Sequence, residues 1–130
     1  MICVLDASAA IELFLKRPRA KVLHDLISDA NLVVAPDLYC SEISKVFWKL
    51  QKAKELSRED CEKGINICLS IVDDLVPTSE LAQEVFAAAV VYNMTAYDMF
   101  YAVVTRRYNG RLLTVDQRLK ETAQKMNLSV

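Results

Sequence analysis

Short runs of aliphatic residues alternate along the chain with longer stretches of helical periodicity. Ile2–Leu5, Leu32–Ala35, Leu75–Val76 and Leu112–Val115 predict strands, and the segments between them predict helices. Strand and helix in alternation imply a parallel sheet wrapped by helices. The expected fold class is therefore α/β, a three-layer α/β/α domain with a small central parallel sheet and about seven helices. The first helix spans Ala7–Leu15 and stops ahead of Pro18; the second, Arg19–Ser28, carries Val22, Leu23, Leu26 and Ile27 as its apolar stripe. Asp37, after Pro36, is placed to cap a third helix in which Leu38, Ile43, Val46, Phe47 and Leu50 recur at spacings of three and four. Ser57 with Asp60 has the form of a capping box for a helix through about Ile71. Thr78 or Ser79 caps the next, through about Tyr92, and Thr95 or Ala96 opens another through Arg107. Asn109-Gly110 breaks the chain before the last strand, and Gln117–Met126 closes it as a helix. No repeat interrupts the pattern, so residues 1–130 read as one domain.

Composition narrows the chemistry. The chain has 130 residues, 53% hydrophobic and 25% charged, enough for a core without covalent staples. A formal net charge of −1 denies it the basic field of a strong non-specific nucleic-acid binder, so any RNA must be handled by a local site and cations. Cys3, Cys40, Cys61 and Cys68 form no Cys-x-x-Cys pair and read as reduced thiols. His24 is the single histidine, which excludes a histidine dyad and a histidine-based zinc site. Asp6 and Glu12 interrupt the first apolar run before signal or membrane length, which predicts a cytoplasmic protein that does not enter a membrane. A nucleotide-binding or phosphoryl-transfer reading fails because there is no Gly-x-Gly-x-x-Gly or P-loop, and position 8, where a phosphatase-type aspartate needs a second acid, is serine.

Four acids stand out by position. Asp6 and Asp116 each follow a predicted strand, where ligands of open parallel sheets bind, although each is equally suited to cap the helix that follows. Asp98 lies in Thr95–Val104, apolar on nearly every face, so its carboxylate calls for a cation or a basic neighbour. Glu42 borders the apolar seam of its helix, with pairing to Lys45 or Lys49 as the alternative. Carboxylates together suit a hard cation such as magnesium or manganese, and phosphodiester hydrolysis uses such an ion to activate water and screen phosphate. Glu12, Asp73, Asp74, Glu80 and Glu84 read as solvated, with Glu12 alone near enough in sequence to support Asp6. Arg106, Arg107, Arg111 and Arg118 are candidate phosphate contacts, and Phe47, Trp48, Tyr101 and Tyr108 candidate base-stacking or core aromatics.

The segments Val4-Leu5-Asp6-Ala7-Ser8, Glu42 after Ala35-Pro36, Tyr97-Asp98-Met99-Phe100-Tyr101-Ala102 and Leu112-Leu113-Thr114-Val115-Asp116-Gln117-Arg118-Leu119 resemble the PIN-domain family, most nearly the VapC-type toxins. The resemblance implies a metal-dependent endoribonuclease, the toxin of a type II toxin–antitoxin system. Asp6, Glu42, Asp98 and Asp116 would hold one or two Mg2+ or Mn2+ ions and hydrolyse RNA to a 5′-phosphate and a 3′-hydroxyl. Ser8 and Thr114 match the family's small hydroxyl positions, where a side chain steadies an acid or a water on the metal. Met99 stands where the family more often has alanine, which would narrow the pocket floor. A small VapB-like antitoxin and a homodimer are implied as partners, with Phe47, Trp48 and Leu50 offered as apolar surplus for an interface. The alternative is a catalytically inactive PIN-like scaffold that binds RNA or protein.

Overall fold

The computed structural model describes residues 1–130. It runs β1 (Ile2–Leu5), α1 (Ala7–Phe14), α2 (Ala20–Ser28), β2 (Leu32–Pro36), α3 (Leu38–Lys52), α4 (Arg58–Ile71), β3 (Asp74–Val76), α5 (Thr78–Tyr92), α6 (Ala96–Tyr108), β4 (Arg111–Leu113) and α7 (Gln117–Lys125). The four strands form one parallel sheet in the order β3-β2-β1-β4. Because successive strand residues point to opposite faces and both faces are covered, the strands read as continuous apolar runs. Cys3, Leu5, Val33, Ala35 and Leu113 enter one core with residues of α1, α2, α3 and α4. Val4, Val34, Val76 and Leu112 enter a second with α5, α6 and α7. The three-layer α/β/α architecture expected from the sequence is the one found.

Four local expectations change. β4 ends at Leu113 because the amides beyond it bind side-chain hydroxyls: Val115 N–H donates to Ser8 Oγ and Asp116 N–H to Thr114 Oγ1. Asp37 is already in helical conformation (φ −66°, ψ −13°) and does not cap α3; its carboxylate accepts instead from Thr78 N–H, 3.1 Å away at the start of α5. Thr78 is thus a donor inside its helix, and Pro77 occupies the cap position. The apolar residues of α3 divide: Phe47 is 1% exposed in the first core, Leu50 packs against that core, and only Trp48 stays outside, with the Lys52 ammonium 4.9 Å from its ring centre. The exposed apolar face lies on α5, at Phe86, Val90 and Val91.

Ser57 does cap α4, accepting from Asp60 N–H at 3.1 Å. All four cysteines are free, with Cys3, Cys61 and Cys68 buried. Burial pushes the Cys68 thiol up to about 11, so it remains a protonated core residue. No helix is long and apolar enough to cross a membrane.

At Gly64, α4 is packed directly against a ring of α3. A Cβ there would lie 2.5 Å from Phe47 ring carbons and 2.9 Å from Phe14, and those two rings already meet edge-to-face at 5.4 Å. On helix propensity alone Gly64→Ala would gain about 1 kcal/mol. Overpacking against two rings that already touch each other should reverse the sign, giving a net loss of about 1–3 kcal/mol in urea unfolding. A variant more stable than the parent would disprove this account of the contact.

Candidate active site

The sheet order places two of the acids side by side. β2 and β3 extend from one edge of β1 while β4 joins the other, so the order reverses between β1 and β4. Asp6 follows β1 as the residue preceding α1, and Asp116 follows β4 as the N-cap of α7. A crevice beyond the carboxyl ends of the strands is expected at such a reversal. Asp98 enters it from the first turn of α6, whose Thr95 cap accepts from Asp98 N–H, and Glu42 enters from α3. Glu42, Asp98 and Asp116 line a cleft of about 410 Å3 together with Leu38, Ser41, Lys45, Tyr97 and Arg118. Asp6 is 6% exposed and does not line it, but it interacts electrostatically with both Asp116 and Glu42.

Each acid has its own partner. Asp6 Oδ2 accepts from Ser8 Oγ and, at 2.7 Å, from Thr114 Oγ1. The same two hydroxyl oxygens accept the Val115 and Asp116 amides, so they tie the carboxylate to the turn after β4. Glu42 Oε1 accepts from the Tyr101 hydroxyl, and neither Lys45 nor Lys49 forms an ion pair with it. Arg118 Nε lies 3.0 Å from Asp98 Oδ2. The contact is ionic without hydrogen-bond alignment, for Oδ2 is buried with no hydrogen-bond partner. Asp116 Oδ1 accepts from the Arg118 and Leu119 amides at 2.9 and 3.3 Å, so capping and cleft lining coexist in one residue. Held this way, no three of the acids converge on a common point.

Burial dominates the electrostatics. It raises the Asp6 carboxyl above the ordinary range; the Ser8 and Thr114 hydrogen bonds oppose the rise and the Asp116 charge adds to it. Glu42 is raised in the same way, chiefly by burial and further by Asp6 and Asp98, against the Tyr101 hydrogen bond. Burial beside Asp6 and Glu42 drives the Tyr101 hydroxyl far upward, so it acts as a fixed donor.

Three residues have roles at the site that the sequence reading did not give them, Tyr101 as the Glu42 partner rather than a stacking or core aromatic. Tyr101 stands three residues after Asp98, one turn on along the same helix face, a spacing that could have flagged it. Tyr97, 67% exposed, and Lys45 line the cleft, although neither had been singled out for it. Of the four candidate arginines only Arg118 reaches the acids. Arg106 and Arg107 pair with Glu84, and Arg111 lines a separate groove between α2 and β4. Glu12 is buried rather than solvated, and accepts from Arg19 N–H at the entry to α2. Asp73 accepts from Val33 N–H and so fastens β2. Met99 is fully buried in the second core and does not line the cleft.

The chain belongs to the PIN-domain family, whose model matches residues 3–125. It is similar to ribonuclease VapC3 of Pyrobaculum aerophilum, 27% identical over 123 residues that cover 93% of this chain and 94% of that protein. It is also similar to ribonuclease VapC9 of Mycobacterium tuberculosis, 29% identical over 121 residues covering 93% and 91%. The crystal structure of PAE2754 from Pyrobaculum aerophilum superimposes with a TM-score of 0.74 and 20% identity, covering 97% of this chain and 86% of that one, a likeness of fold.

Raised carboxyls make the site a source of instability at neutral pH. The folded protein keeps protons on Asp6 and Glu42 at pH values where the unfolded chain has lost them, so stability falls as pH rises through their folded pKa values. In chelator, the urea-unfolding midpoint should therefore increase as pH is lowered from neutrality toward the ordinary carboxylate range. Asp6→Asn should flatten that slope and unfold later than the parent at pH 7. An identical slope in parent and variant would show that the buried carboxyl is not its origin.

Proposed function

We propose that this protein is a metal-dependent endoribonuclease, the toxin of a type II toxin–antitoxin pair, with the whole chain forming one PIN domain. The observation that carries the reading is Asp98 Oδ2, buried and lacking a hydrogen bond, in the cleft at the reversal point of the sheet that Glu42 and Asp116 also line. A buried carboxylate oxygen without a donor is costly unless a cation satisfies it, and the cation now beside it, the mostly exposed Arg118, is not aligned to donate to it. All-oxygen donors suit Mg2+ or Mn2+, so the residues present fit one or two such ions, with Asp6, Glu42, Asp98 and Asp116 as ligands, directly or through water. When bound, the ion would supply Lewis acidity toward the phosphodiester and neutralise charge around it.

The chain's own residues would do the rest. Ser8 and Thr114 fix the Asp6 carboxylate, and Tyr101 fixes that of Glu42. Lys45 and Arg118 bring positive charge to the wall of a cleft whose acids would otherwise repel RNA. Tyr97, exposed on the rim, offers a face for stacking a base. The VapC ribonuclease names of the relatives support the same reaction.

Incubation of the purified protein with a mixed RNA panel tests this reading. Cutting is expected with Mg2+ or Mn2+, none with excess chelator, and a loss of about a hundredfold or more in Asp98→Asn. Undiminished cutting by Asp98→Asn would remove the assignment. Binding without cutting would leave the inactive scaffold, a reading that the separation of the four acids favours.

The same reading includes a small VapB-like antitoxin, a cytoplasmic setting and a homodimer. The dimer would form on α5, where Phe86, Val90 and Val91 are 71%, 65% and 74% exposed. Phe86→Glu should then halve the mass found by sedimentation equilibrium, and a parent that sediments as a monomer would exclude the dimer.

A further inference from the structure

Arg118 is the one cation in contact with any of the four acids. The other three are held by hydroxyls or backbone amides, neutral donors fixed in buried or helical positions. Such donors leave lone pairs free and do not repel a metal ion. A guanidinium does repel one, and it lies 3.0 Å from the single buried oxygen of the site that lacks a hydrogen bond. The side-chain exposures are unequal, 65% for Arg118 and 10% for Asp98. The arginine can turn into water at small cost, whereas the carboxylate stays where α6 puts it.

We propose that Arg118 competes with the divalent cation for Asp98 and, once displaced, holds a phosphate of the RNA at the mouth of the same cleft. Its backbone supports both positions, since the Arg118 amide is anchored to Asp116 Oδ1 at the first turn of α7 while the side chain remains free to move. A planar guanidinium suits a phosphate as well as a carboxylate, through paired N–H donors. Arg118 is then a positioning residue that links metal entry to substrate binding. The acids are not left facing one another unscreened before the metal arrives.

The inference rests on the metal-dependent reading above, and calorimetric titration with Mn2+ alone separates the two. Arg118→Gln should bind Mn2+ about three- to tenfold more tightly than the parent, equivalent to losing one partly exposed ion pair, and Arg118→Lys by less. Lys45→Gln removes the same charge from the same cleft without freeing an oxygen of Asp98, so it should tighten binding clearly less. Equal tightening in Lys45→Gln and Arg118→Gln would overturn competition at Asp98 in favour of a general field effect. Unchanged or weaker Mn2+ binding in Arg118→Gln would overturn it outright. Absence of Mn2+ binding by the parent would instead overturn the metal reading, and this one with it. At saturating Mn2+, Arg118→Gln should raise KM for the panel RNA cut fastest while kcat changes less, and an unchanged KM would overturn the phosphate contact.

Discussion

The Asp6 carboxylate is the constraint around which the site is built. It is buried at the carboxyl end of β1, and two hydroxyls on opposite sides of the β1–β4 junction donate to it. Those hydroxyls also accept the amides of Val115 and Asp116, so one charge organises the turn that ends β4 and aims the cap of α7. Without Ser8 and Thr114 the carboxylate would lack donors in an apolar setting, a loss that typically costs a few kcal/mol. With them, β4 stops two residues early and Asp116 comes to stand beside the cleft. A short strand and a placed acid are two results of the same hydrogen bonds.

Packing determines how the other acids respond. Asp98 and Tyr101 share one face of α6, from which the Tyr101 hydroxyl reaches Glu42 on α3 and lies close enough to Asp6 to feel its charge. Burial raises Asp6 and Glu42, and it also keeps the Tyr101 proton in place to hold Glu42. The four acids are therefore met by three kinds of group, hydroxyls at Asp6 and Glu42, backbone amides at Asp116 and a guanidinium at Asp98.

The strands, the helix count and the three layers were legible because alternation and helical spacing are local properties of the chain. The four candidate acids stood out by position, two following strands, one interrupting an apolar helix and one bordering an apolar seam, and three of them line one cleft. What was not legible depended on tertiary contact. Asp37 has the composition of a helix cap, yet the residue it serves is Thr78, forty-one positions away. Arg118 looked like one of four surface arginines until the meeting of α6 and α7 put it against Asp98. Phe47, Trp48 and Leu50 looked like one apolar patch, but helix geometry turns Phe47 inward and Trp48 outward. Glu12 was misread because a buried acid and a solvated one look alike in sequence until their partners are known.

A cluster of carboxylates at the end of a sheet is a poor way to stabilise a small protein, and the local chemistry suggests why it can be tolerated. Asp116 caps α7 while facing the cleft, Asp98 sits in the first turn of α6, and Asp6 precedes the first turn of α1. Three of the four negative charges thus lie at helix N-termini, where the helix dipole and unpaired amides favour them by about 0.3–1 kcal/mol each. Glu42, in the body of α3, has no such support and relies on Tyr101 instead. Glu42 is thus the one acid of the four with no helix start beside it, and a hydroxyl from α6 supplies its compensation. Where a helix start supplies the compensation, the acid announces itself after a strand or in a first turn; where a tertiary contact supplies it, the sequence marks only the apolar seam beside the acid and not the group that meets it.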